Sequence, residues 1–398
     1  MNKKVTRWPY LTAGLIMMLF AGVIYAWSIL KSPLTAEFGW NSAALGLNYT
    51  ITLSVFCLGG VLGGILLKKI SPRLLAIFSG ISVFLGFTLS SMVQDNIIIL
   101  YVSYGILCGL GIGVAYNVII STVTSWYPDK RNTASGVMMM GFGASALLLG
   151  SIAGYLISTI GWRTTYLSLG IAVLVVFSIG SIFMKKPGAD ILLPMPKVTK
   201  STDIKAKDYS TAEMIKRASF WKMFIYLILA IAIGQSVIGF AKDIAISVGA
   251  AESLAILLVG VLSVCNGLGR IITGFLYDII GRRKTMIIAG ILTVTAPIIM
   301  LFAMINSSVP LVIVGLCNIG FAFGTIPPIS TGYAGSFYGT KYFPVNFSIL
   351  GIATIPAAFV PTIAGAMLGA FGSYIPIFIM LIAFSVFALI INLSIKKA

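Results

Sequence analysis

The sequence predicts an all-α integral membrane protein, with twelve transmembrane helices in two pseudo-symmetric six-helix bundles. Three observations carry that reading. Apolar runs of about 20 residues recur along the whole chain, each long enough to cross a ~30 Å hydrocarbon core. Only 9% of the residues are charged, against roughly 25% in soluble domains, and the mean hydropathy is +1.04. The lysines and arginines gather in alternate connections, as a repeatedly crossing chain requires. Long apolar runs without polar alternation select helices over barrel strands.

The spans fall near residues 9–30, 42–67, 74–93, 97–126, 134–158, 162–184, 220–241, 253–277, 286–305, 309–336, 345–370 and 373–395. The first exceeds the 7–15-residue apolar core of a signal peptide and lacks a small-residue cleavage site, so a retained helix is expected. "GILLKKISPR" (64–73) separates spans 2 and 3, and "SWYPDK" (125–130) separates spans 4 and 5. Residues 185–219 form the one long polar stretch and divide the chain into an N-terminal bundle (1–184), a cytoplasmic linker and a C-terminal bundle (220–398). A short interfacial helix is expected at 210–218, with Thr211 as its cap. Beyond it, "GFLYDIIGRR" (274–283) joins spans 8 and 9, and "SFYGTK" (336–341) joins spans 10 and 11.

Placing the N-terminus in the cytoplasm puts 23 of the 27 basic residues on that side and three (Lys31, Arg163, Lys242) on the other. Both termini are then cytoplasmic. The formal charge of +17 would suggest nucleic acid in a soluble chain, but its distribution here is that of positive-inside loops. All ten acids lie in loops or at span ends. Arg270 alone is a formal charge in a span interior, with no Asp, Glu or Lys within seven residues on either side. The four cysteines sit in apolar runs without metal spacing, and histidine is absent. Gly59, Gly60, Gly63 and Gly64, the Gly105, Gly109, Gly113 series, and Gly150 with Gly154 are spaced for close helix approach.

The halves echo one another at an offset near 211: "SWYPDK" with "SFYGTK", "IAG" (152–154) with "IAG" (363–365), Gly161 with Gly372. Parallel repeats of this kind suit a carrier with its substrate site near the midplane. "GFLYDIIGRRKT" resembles the G-x-x-x-D-x-x-G-R-[RK] motif of the major facilitator superfamily. That resemblance implies the major facilitator fold and a cytoplasmic conformational latch built from Gly274, Asp278, Gly281 and Arg282. In the first copy, Lys68 stands in the acid position and Ser71 in the glycine position, so a weaker latch is expected there.

An arginine at membrane depth costs at least ~2.5–3.5 kcal/mol, and such residues face a cavity or snorkel to an interface. Asn266, at i−4, puts a second polar group on the same face of span 8, with Ser263 and Thr273 near that stripe. An inward polar stripe favours the cavity, and an anionic ligand is the natural counter-ion, since a guanidinium grips a carboxylate bidentately. "GVIYAWS" (22–28), "WYPDKRNTASG" (126–136), "NGLGR" (266–270) and "DIIGRRKTM" (278–286) resemble the oxalate:formate antiporter family, which is related to monocarboxylate transporters. The likeness runs from span 1 through span 12 and is weakest in the linker. It implies that Arg270 binds the substrate carboxylate and that Tyr25 and Tyr116 line the site. Asn117, beside Tyr116, joins the candidates. Where dicarboxylate-handling members carry a lysine on span 11, this chain has Thr354. The aromatics of spans 10 and 11 thin to Phe323, Pro327 and Gly351. Monocarboxylate transporters often place an acid where Asn266 stands.

One cation suits one carboxylate. The expectation is a secondary active transporter of monocarboxylates (formate, acetate, lactate or pyruvate class), with anion exchange favoured because a charge-neutralised carrier reorients faster than an empty one. Open alternatives are a proton-coupled monocarboxylate symporter, an oxalate or dicarboxylate antiporter, and a drug exporter of the same superfamily. The expected partners are a small carboxylate and the lipid bilayer, with no nucleic acid, metal or cofactor, in a monomer of a prokaryotic inner membrane. Nothing in the sequence supports an enzyme.

Overall fold

The computed structural model describes residues 6–188, 191–194 and 207–395. Lys3, Lys4, Asp190, Lys197, Lys200, Asp203, Lys205, Lys396 and Lys397, which entered the charge reading, lie outside the described residues, as does most of the linker. Among the described residues the structure is helical, and eleven helices are long and apolar enough to cross a membrane. One of these, Glu252–Ile305, runs 54 residues. At 1.5 Å per residue it would be about 80 Å long, more than twice the hydrocarbon thickness. It is two spans, 252–280 and 282–305, broken at Gly281, whose φ of 77° and ψ of 172° are non-helical. Twelve spans result. Contacts divide them into two compact units, Met1–Asp203 with Phe343–Ile349, and Ile204–Tyr342 with Leu350–Ala398.

In the first unit three span starts carry side-chain caps. Asn41 accepts from the Ala44 amide at 2.8 Å to cap span 2, Ser42–Leu66. Ser71 caps span 3, Pro72–Ser91, which has Pro72 in its first turn. Asn96 caps span 4, Ile97–Thr124. Such caps satisfy amides that helix geometry leaves without partners. Spans 2 and 4 cross where the glycine spacing predicts close approach: a Cβ on Gly109 would lie 2.7 Å from the Thr52 carbonyl oxygen, and one on Gly59 2.7 Å from that of Leu110. Side chains larger than hydrogen would force the backbones apart.

Polar pairs tie the two ends of this unit. At one end Arg7 pairs with Asp129 and donates to the Trp126 carbonyl at 3.3 Å, while Trp126 Nε1 donates to the Lys185 carbonyl at 2.7 Å. At the other end Glu37 accepts from Trp162 Nε1 at 2.5 Å and from Arg163 at 2.7 Å. These bonds, Trp162's first and Arg163's second, hold the Glu37 carboxyl below its ordinary range. The grouping of span ends is the one alternate crossings require.

The segment Phe343–Ile349 was expected within the C-terminal bundle, yet its contacts are with the first unit. Asn117 Nδ2 donates to the carbonyls of Pro344 at 2.6 Å and Gly60 at 3.0 Å. The Arg131 guanidinium lies 4.0 Å from the Phe343 ring centroid. Span 11 is therefore not the single helix of the sequence reading: it is broken into Phe343–Gly351, Thr354–Ala357 and Val360–Phe371.

The second unit packs Ala218–Ser247 (span 7), spans 8 and 9, Val309–Tyr338 (span 10), and Ile375–Ser394 (span 12) around a core that includes Ile233, Leu258, Met300, Leu316 and Phe378. Ahead of span 7, the short helix Thr211–Ile215 is capped by Ser210, which forms a reciprocal capping box with Glu213. Thr211 is thus the first helical residue, not the cap. The hydroxyl of Ser210 reaches the amide three residues on, as the S-x-x-E pattern requires.

Candidate functional site

Within the second unit, Arg270 is 5% exposed. A lipid-facing or snorkelling arginine would be largely exposed here, so this side chain is packed inside protein. Span 8 is drawn against span 10 next to it: a Cβ on Gly269 would lie 2.7 Å from the Phe321 carbonyl oxygen. Arg270 Nε donates to Asn266 Oδ1 at 3.3 Å, the i−4 relation read from the sequence. The bond fixes the plane of the guanidinium and leaves its orientation less free than a lysine's would be. Thr273 is also buried, whereas Ser263 is exposed and its hydroxyl bonds the Val259 carbonyl of its own helix. Phe323 lies over Gly234 of span 7, where its ring occupies the place of a side chain. Thr354 is half-buried and opens the short middle helix of span 11.

Within the first unit, Tyr25 and Tyr116 belong to one aromatic cluster. Tyr25 sits in the 3-10 stretch Gly22–Ala26, where span 1 departs from α geometry. Its ring is edge-on to Phe142 at 5.1 Å, and Phe142 is edge-on to Tyr116 at 5.0 Å. Phe56 joins Tyr116 at 5.4 Å and Phe142 at 5.9 Å, and Phe347 stacks on Tyr116 at 6.2 Å. Edge-to-face rings at these separations contribute about 0.5–1.5 kcal/mol per pair beyond burial. Sequence reasoning missed Phe56 and Phe142, because spans 2 and 5 were read only for small residues, and Phe347, because span 11 was read as thin in aromatics. The usable signal was one bulky aromatic among glycines in "MMMGFGAS" (138–145).

Asn117 was a candidate ligand group, and the structure engages its amide with protein. Besides Pro344 and Gly60 it meets the Ser348 hydroxyl, and its Oδ1 accepts from Ser121 at 2.9 Å. It is fully buried and acts as a clasp between helices. The motif residues lie at the end of span 8. Gly274 is buried, Asp278 half-buried, and Gly281 makes the break. The Arg282 guanidinium stacks over Phe337 of span 10 at 4.4 Å, an aromatic partner the motif alone does not announce.

These features are those of a membrane carrier. The family model of the Major Facilitator Superfamily matches residues 11–241 and 224–396, and the chain belongs to that family: it is a multi-pass membrane protein and a secondary transporter, not an enzyme. It is similar to the oxalate:formate antiporter of Oxalobacter formigenes, 26% identical over 366 residues, covering 92% of this chain and 84% of that one. It is also similar to monocarboxylate transporter 13 of Rattus norvegicus, 22% identical over 327 residues, covering 81% of this chain and 72% of the other. Among solved structures, the major facilitator transporter FucP in its outward conformation aligns with a TM-score of 0.71 at 13% identity, over 98% of this chain and 100% of that one.

Proposed function

We propose that this transporter carries small monocarboxylates by alternating access, with exchange of one anion for another as its favoured mode. The observation that carries the reading is Arg270: a guanidinium buried in a membrane span, its plane set by Asn266. Placing such a charge at membrane depth is costly, and its fork geometry matches a carboxylate. The names of the two relatives, an oxalate:formate antiporter and a monocarboxylate transporter, support the same substrate class. Tyr25 and Tyr116 supply phenol hydroxyls and flat walls suited to a small ligand, and Phe323, Asn266 and Thr354 complete the proposed lining. Asn117 holds the helices of the first unit in place. With neutral Thr354 on span 11, a single positive centre selects a single carboxylate.

A bound carboxylate lowers the cost of carrying the guanidinium through a closed, dry state. The loaded protein therefore reorients faster than the empty one, which is exchange. Asp278, Gly274, Gly281 and Arg282 serve as the latch of one conformation. The carrier works as a monomer of two six-helix bundles in a prokaryotic inner membrane, both termini cytoplasmic. The test is efflux of labelled formate, acetate, lactate or pyruvate from proteoliposomes with the membrane potential clamped. Efflux accelerated by external monocarboxylate supports exchange; equal rates with and without it reject it. Oxalate is a second reading, favoured by the antiporter relative, and preferential acceleration by external oxalate would establish it instead.

A further inference from the structure

The first copy of the repeated loop has lost the acid and the glycine of its motif, and the structure shows what stands there. Residues 67–73 and the end of span 6 enclose an open cleft of about 670 Å³. Five of its lining side chains are cations: Lys68, Lys69, Arg73, Lys185 and Lys186. None of its lining residues is acidic. Ser71 and Pro72 also line it, so the N-terminal end of span 3, a 20-residue helix, adds its partial positive charge. The cleft lies where three spans end, which is the boundary between hydrocarbon and water. Its remaining wall is apolar: Ile70 and Ile182 line it and are exposed, and exposed Leu74 continues that surface along span 3.

We propose that this cleft binds the headgroup of an anionic phospholipid, and specifically one bearing two phosphodiester groups, the chemistry of cardiolipin. Five cations around one space exceed what a single phosphate neutralises. Two phosphates joined by a glycerol match them better and reach neighbouring lysines together. The exposed isoleucines and Leu74 give the acyl chains a path into the bilayer, which a soluble anion would not use. Basic pockets between spans at a membrane surface are suited to this class of headgroup. The site is independent of the transported substrate, and its occupant adds a lipid contact between spans 2, 3 and 6.

The test uses the purified full chain in detergent, with native mass spectrometry and thermal shift as readouts. Cardiolipin, phosphatidylglycerol, phosphatidylcholine and inorganic phosphate are added separately. Cardiolipin should be retained and raise the Tm, with phosphatidylglycerol weaker and phosphatidylcholine without effect. Arg73→Gln with Lys185→Gln should weaken cardiolipin retention by about tenfold or more, while Arg73→Lys with Lys185→Arg should restore it. Arg283→Gln with Lys284→Gln removes the same charge from the second copy of the loop and should leave retention unchanged. Each single variant, Arg73→Gln or Lys185→Gln, gives a smaller loss should the double variant fail to insert. Equal retention by the cleft and control variants would reduce the cleft to a solvated, positive-inside loop. Inorganic phosphate stabilising the protein as well as cardiolipin would make it a soluble-anion site. Either result overturns the proposal.

Discussion

Replacing Arg270 tests the proposed substrate chemistry most directly. A carboxylate held by the guanidinium fork accepts two charge-assisted hydrogen bonds, each contributing about 1.5–3 kcal/mol. Arg270→Ala removes both, so monocarboxylate affinity should fall by ~3–6 kcal/mol, or about 10²- to 10⁴-fold in Kd. Arg270→Lys keeps a positive charge but loses the planar fork and the Nε bond to Asn266. It should lose about one such bond, roughly 10- to 100-fold. Neither variant should fail to insert: the arginine itself opposes insertion by at least ~2.5–3.5 kcal/mol, and its bond to Asn266, within one helix, contributes only a few tenths. Binding is read by isothermal titration in detergent, and transport by counterflow in proteoliposomes. Wild-type affinity in correctly inserted Arg270→Ala would refute the reasoning, because the buried guanidinium would then serve packing alone. Equal losses in the Ala and Lys variants would point to the fork's geometry, not its charge, as decisive.

Thr354→Lys should place a second cation in the site and shift preference toward dicarboxylates by about tenfold; competition of oxalate against labelled formate measures it, and an unchanged ratio would reject the alignment of span 11. Gly281→Ala forces a Cβ into φ 77°, ψ 172°, a region essentially reserved for glycine, at ~1–3 kcal/mol; the Tm should drop by a few degrees, and an unchanged Tm would show that the break relaxes freely. The Glu37 carboxyl sits below its ordinary value of 4.5, so the folded state holds its proton less tightly than the unfolded one. Its contribution is complete above the unfolded value and is lost as pH falls through the lower folded one. Thermal unfolding from about pH 6 to about pH 3 should therefore be steeper for the wild type than for Glu37→Gln, and parallel curves would remove Glu37 from the acid response.

The fold was legible because the bilayer simplifies the physics. Every backbone polar group must be satisfied within a helix, so hydropathy alone locates the spans. Gly59, Gly109 and Gly113 declared the crossing of spans 2 and 4, since nothing but a small residue admits such approach. Arg270 and Asn266 declared their shared face through the i, i+4 relation. What stayed illegible depends on partners far apart in sequence. Asn117 looked like a ligand group, but its amide partners, Gly60, Pro344 and Ser348, are 57, 227 and 231 residues away. Phe142 was not singled out, because its ring partners Tyr25, Phe56 and Tyr116 lie on other spans. Spans 8 and 9 read as separated by a loop, because "YDIIGRRKT" is polar; helical bonding in fact resumes at once on either side of Gly281.

The break in span 11 connects these threads. A helix interrupted at membrane depth exposes amides and carbonyls that lipid cannot satisfy, and irregular backbone is tolerated there only when protein or a water-filled cavity covers it. Here the turn recovers part of its bonding locally: the Ala353 amide donates to the Leu350 carbonyl at 3.2 Å, and that of Ile355 to Ile352 at 2.9 Å. A packing role alone would favour a continuous helix, which needs no such repair. The helix is interrupted at 352–353 and again at 358–359, on either side of the short Thr354–Ala357 turn. Interrupted helices are where carriers of repeated architecture place their substrate and ion sites. The physical cost of that break is thus an argument, separate from any motif, for treating the Thr354 turn as part of the proposed site.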